Sequence, residues 1–260
     1  MGGSDKASGG RPAHMDEREW HLREELAACY RVFDFLGWSE SIFNHISLRV
    51  PGPERHYLVN PFGLNYSEVT AANLVKVDLD GNPVAPSEHG VNPAGFPLHG
   101  AIHGAREDAR CVMHLHTTAG AAVACKQHGL SHDNFYGAQL AGQVGYHEFE
   151  GITLHPAERS RIVASLGDCS VLILRSHGLV TCGPDVPTAF WRMWTLQRAC
   201  EVQLAVESLA GRDQPICPAV REACVRDAAR FDPDIGRKVF DAAVREMEAA
   251  RSGRHVDYRA

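Results

Sequence analysis

Two runs of this chain are almost wholly apolar and rich in β-branched residues: CVMHLH at residues 111–116 and SVLILRSHGLVTCG at 170–183. Strands buried on both faces read this way, whereas a sheet with one wet face alternates. Between the two runs, TTAGAAVACKQH and HPAERSRIVASLG have the spacing of helices. Upstream, IFNHISLRV alternates as a half-buried strand does, and HYLVNP and LVKVDLDGNPV read as shorter strands with Asp80-Gly81-Asn82 as a turn. Asp16 and Glu19 form a capping-box pair ahead of Leu26, Ala27, Tyr30 and Phe33, and Gly37 suits the end of that helix. The longest helix is expected from about Asp185 to Leu209, with Asp185 as its cap and Phe190, Trp191 and Trp194 in an apolar, packing stripe. Strands alternating with helices predict an α/β architecture, a central sheet carrying helices on its faces.

The expected organisation is a flexible Gly/Ser-rich tail over 1–14, a main domain over 15–211 and a helical C-terminal extension over 212–260, broken at Asp232-Pro233. The composition is 44% hydrophobic and 22% charged, that of a folded globular chain rather than a disordered one. No run of about 18 apolar residues offers a membrane span, and the N-terminal MGGSDKASGGRPAH lacks the apolar segment of a secretory leader. A net charge of −6 spread along the chain argues against nucleic acid as a partner. The 8 cysteines, with no CxxC pair, read as reduced core thiols, so a cytoplasmic protein is expected.

The 15 histidines draw attention to metal chemistry. His114 and His116 are two apart at the end of an apolar run, and in a strand such residues share a face. His177 ends the run VLILRS, ahead of Gly178. If the two strand ends are neighbours, three imidazoles converge and leave a coordination position open, as catalytic metal sites do. Spacing alone equally admits the plain alternative, with one histidine packed, one solvated and the third a turn residue.

The stretches GWSESIFNHISLRV, YLVNPFGLNYSEVTAANLVKVDLDGN, GVNPAGFPLHGAIHGAREDARCVMHLHT and LILRSHGLVTCG resemble the class II aldolase/adducin family from about Leu22 to Gly211. The resemblance implies a three-layer α/β/α fold with a mixed or antiparallel central sheet, a homotetramer, and one divalent ion per subunit (zinc, manganese or iron) on His114, His116 and His177. The sugar-phosphate aldolases of the family carry a serine-rich segment with a catalytic glutamate where this chain has Asn92-Pro93-Ala94-Gly95, so the glutamate position is Gly95. Proline offers no amide hydrogen and alanine no hydroxyl, and Phe62 stands where a small hydroxyl residue would suit phosphate. A small, non-phosphorylated substrate is therefore expected. This context resembles the adducin-type branch.

Three functions follow from the resemblance: a metal-dependent lyase of decarboxylase or aldolase type, a non-haem iron(II) oxygenase on the same ligands, or a non-catalytic interaction module like the adducin head. His99 and His103, four apart on a predicted helix, and Tyr136 are candidate catalytic or proton-relaying groups; Tyr146 is a weaker one. His45, Ser47, Asn60, Gly63 and Gly95 are candidate substrate contacts. Each histidine and tyrosine also fits an ordinary packed position. Glu88 reads as a solvated loop acid.

Overall fold

A computed structural model describes residues 11–12, 15–250 and 257–260; the rest of the expected tail lies outside the described residues. Seven strands form: β1 (His45–Arg49), β2 (Tyr57–Val59), β3 (Val75–Val77), β4 (Cys111–Leu115), β5 (Val144–His147), β6 (Val171–Leu174) and β7 (Gly178–Gly183). They make one sheet in the order β3-β2-β1-β4-β7-β6-β5. Each neighbouring pair is antiparallel except β5 with β6. The helices are α1 (Glu17–Phe35), α2 (Phe96–Ala105), α3 (Thr118–Ala124), α4 (Phe135–Gln139), α5 (Arg159–Leu166), α6 (Val186–Glu207), α7 (Pro218–Phe231) and α8 (Ile235–Ala250).

The helix starts follow the local chemistry. Asp16 accepts from the backbone N–H groups of Arg18 and Glu19, and Asp185 accepts from Thr188 N at 2.8 Å. On one face of the sheet, Phe33, Phe190, Phe240 and Met247 cover Ile46, Met113, Ile173 and Leu179. On the other, Leu98 and Ile102 of α2 and Ile162 and Leu166 of α5 cover Val112, Leu172 and Val180. The outcome is the three-layer α/β/α arrangement.

Three expectations change on contact with this packing. All five residues of β1 are buried rather than half of them, because α1 lies over one face and α2 over the other. The run SVLILRSHGLVTCG is two antiparallel strands, β6 and β7, joined by a tight turn at residues 175–177. The helical C-terminal segment is integral to the body: Phe240 of α8 meets Phe190 of α6 with ring centroids 5.4 Å apart, and Met247 joins the same core. Cys29, Cys111, Cys182 and Cys200 are buried free thiols as expected, but Cys125 and Cys217 are exposed. Among the described residues, no helix is long and apolar enough to cross a membrane.

Because Phe240 is 2% exposed, Phe240→Ala removes a fully buried ring. The expected loss is about 3–5 kcal/mol in a urea unfolding experiment. A loss near zero would show that α8 is a detachable appendage.

Candidate metal centre

The site is set by strand direction. β4 and β7 are antiparallel with Leu115 paired to Leu179, so the end of β4 lies beside the turn that opens β7. His114 and His116, on one face at the end of β4, thereby meet His177 on that turn. His116 Nε2 lies 2.7 Å from His114 Nε2 and 2.9 Å from His177 Nε2. Two local features hold this geometry. Ser176 adopts a left-handed backbone, with φ 55, which turns the chain sharply before His177. Gly178 lets the turn press against β4: a Cβ there would stand 2.5 Å from the Leu115 carbonyl oxygen and 3.0 Å from the His116 ring. The buried Asn44 side chain accepts from His116 N at 3.0 Å and donates to the Trp38 carbonyl, which fixes the far end of the HxH pair.

The donor set fits a cation. His114 Nδ1 donates to the Leu179 carbonyl at 3.0 Å, so in the neutral ring Nε2 carries only a lone pair. Burial, then the neighbouring histidines, drives the His114 pKa well below its ordinary value, and burial followed by His116 brings His177 to about 4. His116 is lowered by burial as well. These are neutral rings at neutral pH, and His116 Nε2, which carries at most one hydrogen, faces two other nitrogens and cannot donate to both. One divalent ion would satisfy all three and leave further positions for a ligand.

The three histidines stand in a cavity of about 660 Å³. His45, Phe62, Asn92, Pro93 and Ala94 line it on the sheet side, and Phe43, Phe149, Ile152 and Leu154 rim it. His45 of β1 is paired directly with His114, their ring centroids 4.9 Å apart. Gly95 sits beside it: a Cβ there would lie 3.7 Å from His45 Nε2. Among the described lining residues none is Lys or Arg, and Glu40 is the carboxylate.

Other expected site residues take different places. Ser47, His99 and His103 are buried behind the cavity wall, hydrogen-bonded in series to His45. Asn60 is a structural joint: its backbone N–H and side-chain oxygen both meet the Tyr30 hydroxyl, which also bonds the backbone of Ile46 between β1 and β2. Gly63, at φ 99, shapes the bend that follows Phe62, and it is Phe62 that reaches the cavity. Tyr136 does not join this cavity. It packs edge-on against Trp194 in a separate apolar groove, because α4 docks on α6. Tyr146 lies against Arg175 and donates no group to the cavity wall. Glu88 is exposed, as its loop position suggested. Glu40 and Asn44 were missed at the sequence level; Asn44 directly precedes His45, and its polarity inside an apolar run was the available signal.

The Class II Aldolase and Adducin N-terminal domain family matches residues 24–204. The chain belongs to that family. Over 199 residues it is 48% identical to alpha-adducin of Rattus norvegicus, an alignment that spans 75% of this chain and 27% of the adducin. Among solved structures, the fold superposes on an aldolase II superfamily protein from Pseudomonas syringae with a TM-score of 0.86 and 42% identity, covering 95% of this chain and 98% of the other. An L-fuculose 1-phosphate aldolase from Glaciozyma antarctica PI12 follows at a TM-score of 0.79 and 27% identity, covering 93% and 95%. The two solved structures share this fold.

Two outcomes test this geometry. Gly178→Ala pushes a methyl into backbone at the centre, so zinc titration should show binding weakened by at least about tenfold, together with a stability loss on the order of 1–3 kcal/mol; unchanged zinc affinity would separate the turn from the site. His103 is neutral in the folded chain, its pKa lowered from 6.5 to about 3 chiefly by burial. Its stabilising effect is complete above pH 6.5 and is lost as the pH falls toward 3, because only the unfolded chain takes the proton in that window. Stability measured in urea between pH 6 and 4 should therefore fall less steeply in His103→Gln, by about 1.4 kcal/mol per pH unit. An unchanged slope would mean that native His103 already takes up a proton.

Proposed function

We propose that this chain is a divalent-metal-dependent lyase that breaks or forms a carbon–carbon bond next to an oxygen function on a small, non-phosphorylated substrate. The observation that carries the reading is the convergence of three lone-pair-bearing imidazole nitrogens on one point of an accessible cavity. A bound zinc, manganese or iron(II) ion supplies a Lewis acid for the oxygens flanking the reacting carbon. His114, His116 and His177 would hold that ion.

The wall chemistry supports the substrate class. A phosphate dianion needs convergent charged or amide donors, and the lining offers Pro93, Ala94 and Phe62 where such donors would stand. The rim residues Phe149 and Ile152 are 56% and 71% exposed, which suits a substrate with an apolar portion. His45 and Glu40 are the wall groups able to exchange a proton with a ligand.

The same reading includes assembly as a homotetramer in the cytoplasm. It is supported by the apolar groove of Phe135, Trp191, Trp194 and Phe231, in which Phe231 is 79% exposed. The likeness to alpha-adducin favours a second reading, a protein-interaction module. The complete ligand set at the base of a cavity speaks for the enzyme, since a docking module has no need of three converging imidazoles.

The test is an anaerobic assay of zinc-, manganese- and iron-loaded protein against a panel of 2-hydroxy acids, 3-oxo acids and hydroxyketones, each with and without a phosphate. Cleavage of a non-phosphorylated member is expected, and His114→Ala should lose bound metal and at least about 100-fold in kcat/KM. Turnover that survives complete metal loss would overturn the proposal. A strict need for oxygen and iron would indicate the oxygenase chemistry, and silence with every loaded metal would favour the interaction module.

A further inference from the structure

Behind the cavity wall runs a line of buried polar groups that the metal centre does not require. His45 and Ser47 share one face of β1 (His45–Arg49), and His99 and His103 share the face of α2 that covers it. His103 Nδ1 meets the Ala109 carbonyl at 2.9 Å, and its Nε2 meets Ser47 Oγ at 2.7 Å. Ser47 Oγ meets His99 Nδ1 at 2.5 Å, and His99 Nε2 meets His45 Nδ1 at 2.7 Å. Tyr57 closes the line at its inner end, its ring 4.8 Å from that of His103. Outside it, the His45 ring faces the cavity, with Asn92 and Gly95 at its side.

The hydrogens along this line follow from its inner end. A carbonyl only accepts, so His103 donates from Nδ1 and its Nε2 is bare. Ser47 has a single hydroxyl hydrogen, and the bare His103 Nε2 takes it. Ser47 Oγ must then accept from His99 Nδ1–H, which leaves His99 Nε2 bare. His45 must therefore donate from Nδ1, and its Nε2 toward the cavity carries a lone pair and no hydrogen. Burial keeps the line neutral: His103 is lowered to about 3 and His99 well below its ordinary value, and His45 is itself buried. One buried carbonyl thus sets the polarity of a group at the far end of the line.

We propose that the Ala109–His103–Ser47–His99 relay fixes His45 as an obligate hydrogen-bond acceptor on the cavity wall, so that the site takes ligands presenting a free hydroxyl beside their metal-binding oxygens and discriminates against those presenting an ether or carbonyl oxygen there. This deepens the lyase reading by naming a feature of its substrate, and it rests on that reading for the placement of the ion. Where a ligand offers only an acceptor, two lone pairs face each other and the mismatch goes unpaired, which is how hydrogen-bonding sites reject close analogues. Ser47, His99 and His103 are positioning residues here; His45 is the group that touches the ligand.

Two measurements test it. In protein labelled with nitrogen-15 in its histidines, metal-free and zinc-loaded, long-range proton–nitrogen spectra at pH 7.5 should show His45, His99 and His103 each protonated at Nδ1 alone, with His45→Gln used to assign the signal. Any of the three found as the Nε2–H tautomer overturns the relay whether or not the chain proves to be a lyase. Calorimetry on the zinc-loaded protein then compares glycolate with methoxyacetate, which share a carboxylate and an oxygen on the neighbouring carbon and differ in whether that oxygen carries a hydrogen or a methyl group. Glycolate should bind at least about tenfold more tightly, and Ser47→Ala, which releases His99 and His45 to reverse, should bring the ratio toward one. Equal affinities in the unsubstituted protein, or binding of neither anion, overturn the selectivity and need no variant to fold. A correct tautomer pattern and ratio without any carbon–carbon cleavage would leave the relay standing and remove the lyase reading alone.

Discussion

The pairing of β4 with β7 is the constraint on which the rest depends. Antiparallel register between Leu115 and Leu179 makes the terminus of one strand the neighbour of the other's opening turn, so His116 and His177, 61 positions apart in sequence, arrive at a common point. A parallel pairing would have carried His177 to the opposite end of β4, beside Cys111. Ser176 and Gly178 serve that pairing: one turns the chain abruptly, the other removes the atom that would hold the turn away from the strand. The two helical layers then bury the assembly and keep its imidazoles neutral.

Two backbone carbonyls organise most of the buried histidine chemistry. Leu179 receives the Nδ1 hydrogen of His114, and Ala109 that of His103. Each belongs to the sheet or its immediate flank, so the rigid frame orients imidazoles that would otherwise choose freely between two tautomers. One anchored ring turns a lone pair toward His116 and His177, the other hydrogen-bonds into a line of three partners. The buried polar groups are satisfied in series rather than in isolation, which is how so much polarity fits between apolar layers.

Much of the frame was legible in the sequence because it rests on short-range rules. The i, i+2 spacing of His114 and His116 survives as a shared face, the caps at Asp16 and Asp185 open their helices, and the resemblance supplied the partner strand for His177. The misreadings came where tertiary packing decides. Alternation suggested a half-wet β1, but both faces found covers. A single apolar run concealed a hairpin because its turn residues are a serine and a histidine rather than the usual glycine pair. Ser47 looked like a ligand contact and His99 like a catalytic or proton-relaying group, and only the distance between β1 and α2 shows them facing each other. Tyr136 looked available for chemistry until α4 carried it to another groove. The helical spacing of His99 and His103 already suggested a relay, but side-chain order along a hydrogen-bonded line has no linear signature, so the place of Ser47 between them could not be read before the fold was known.

Gly95 carries a consequence of its own. It occupies the cap position of α2 with an ordinary helical backbone, φ −76 and ψ −30, so a side chain of L configuration fits there without twisting the main chain. Its hypothetical Cβ would stand 3.3 Å from the Asn92 carbonyl, asking that loop to yield a few tenths of an ångström, and it would point along the His45 ring. An acid grafted at this spot would also gain from the positive end of the helix. A single substitution at Gly95, with a small shift of the Asn92 loop, would therefore set a second carboxylate in this cavity, next to His45.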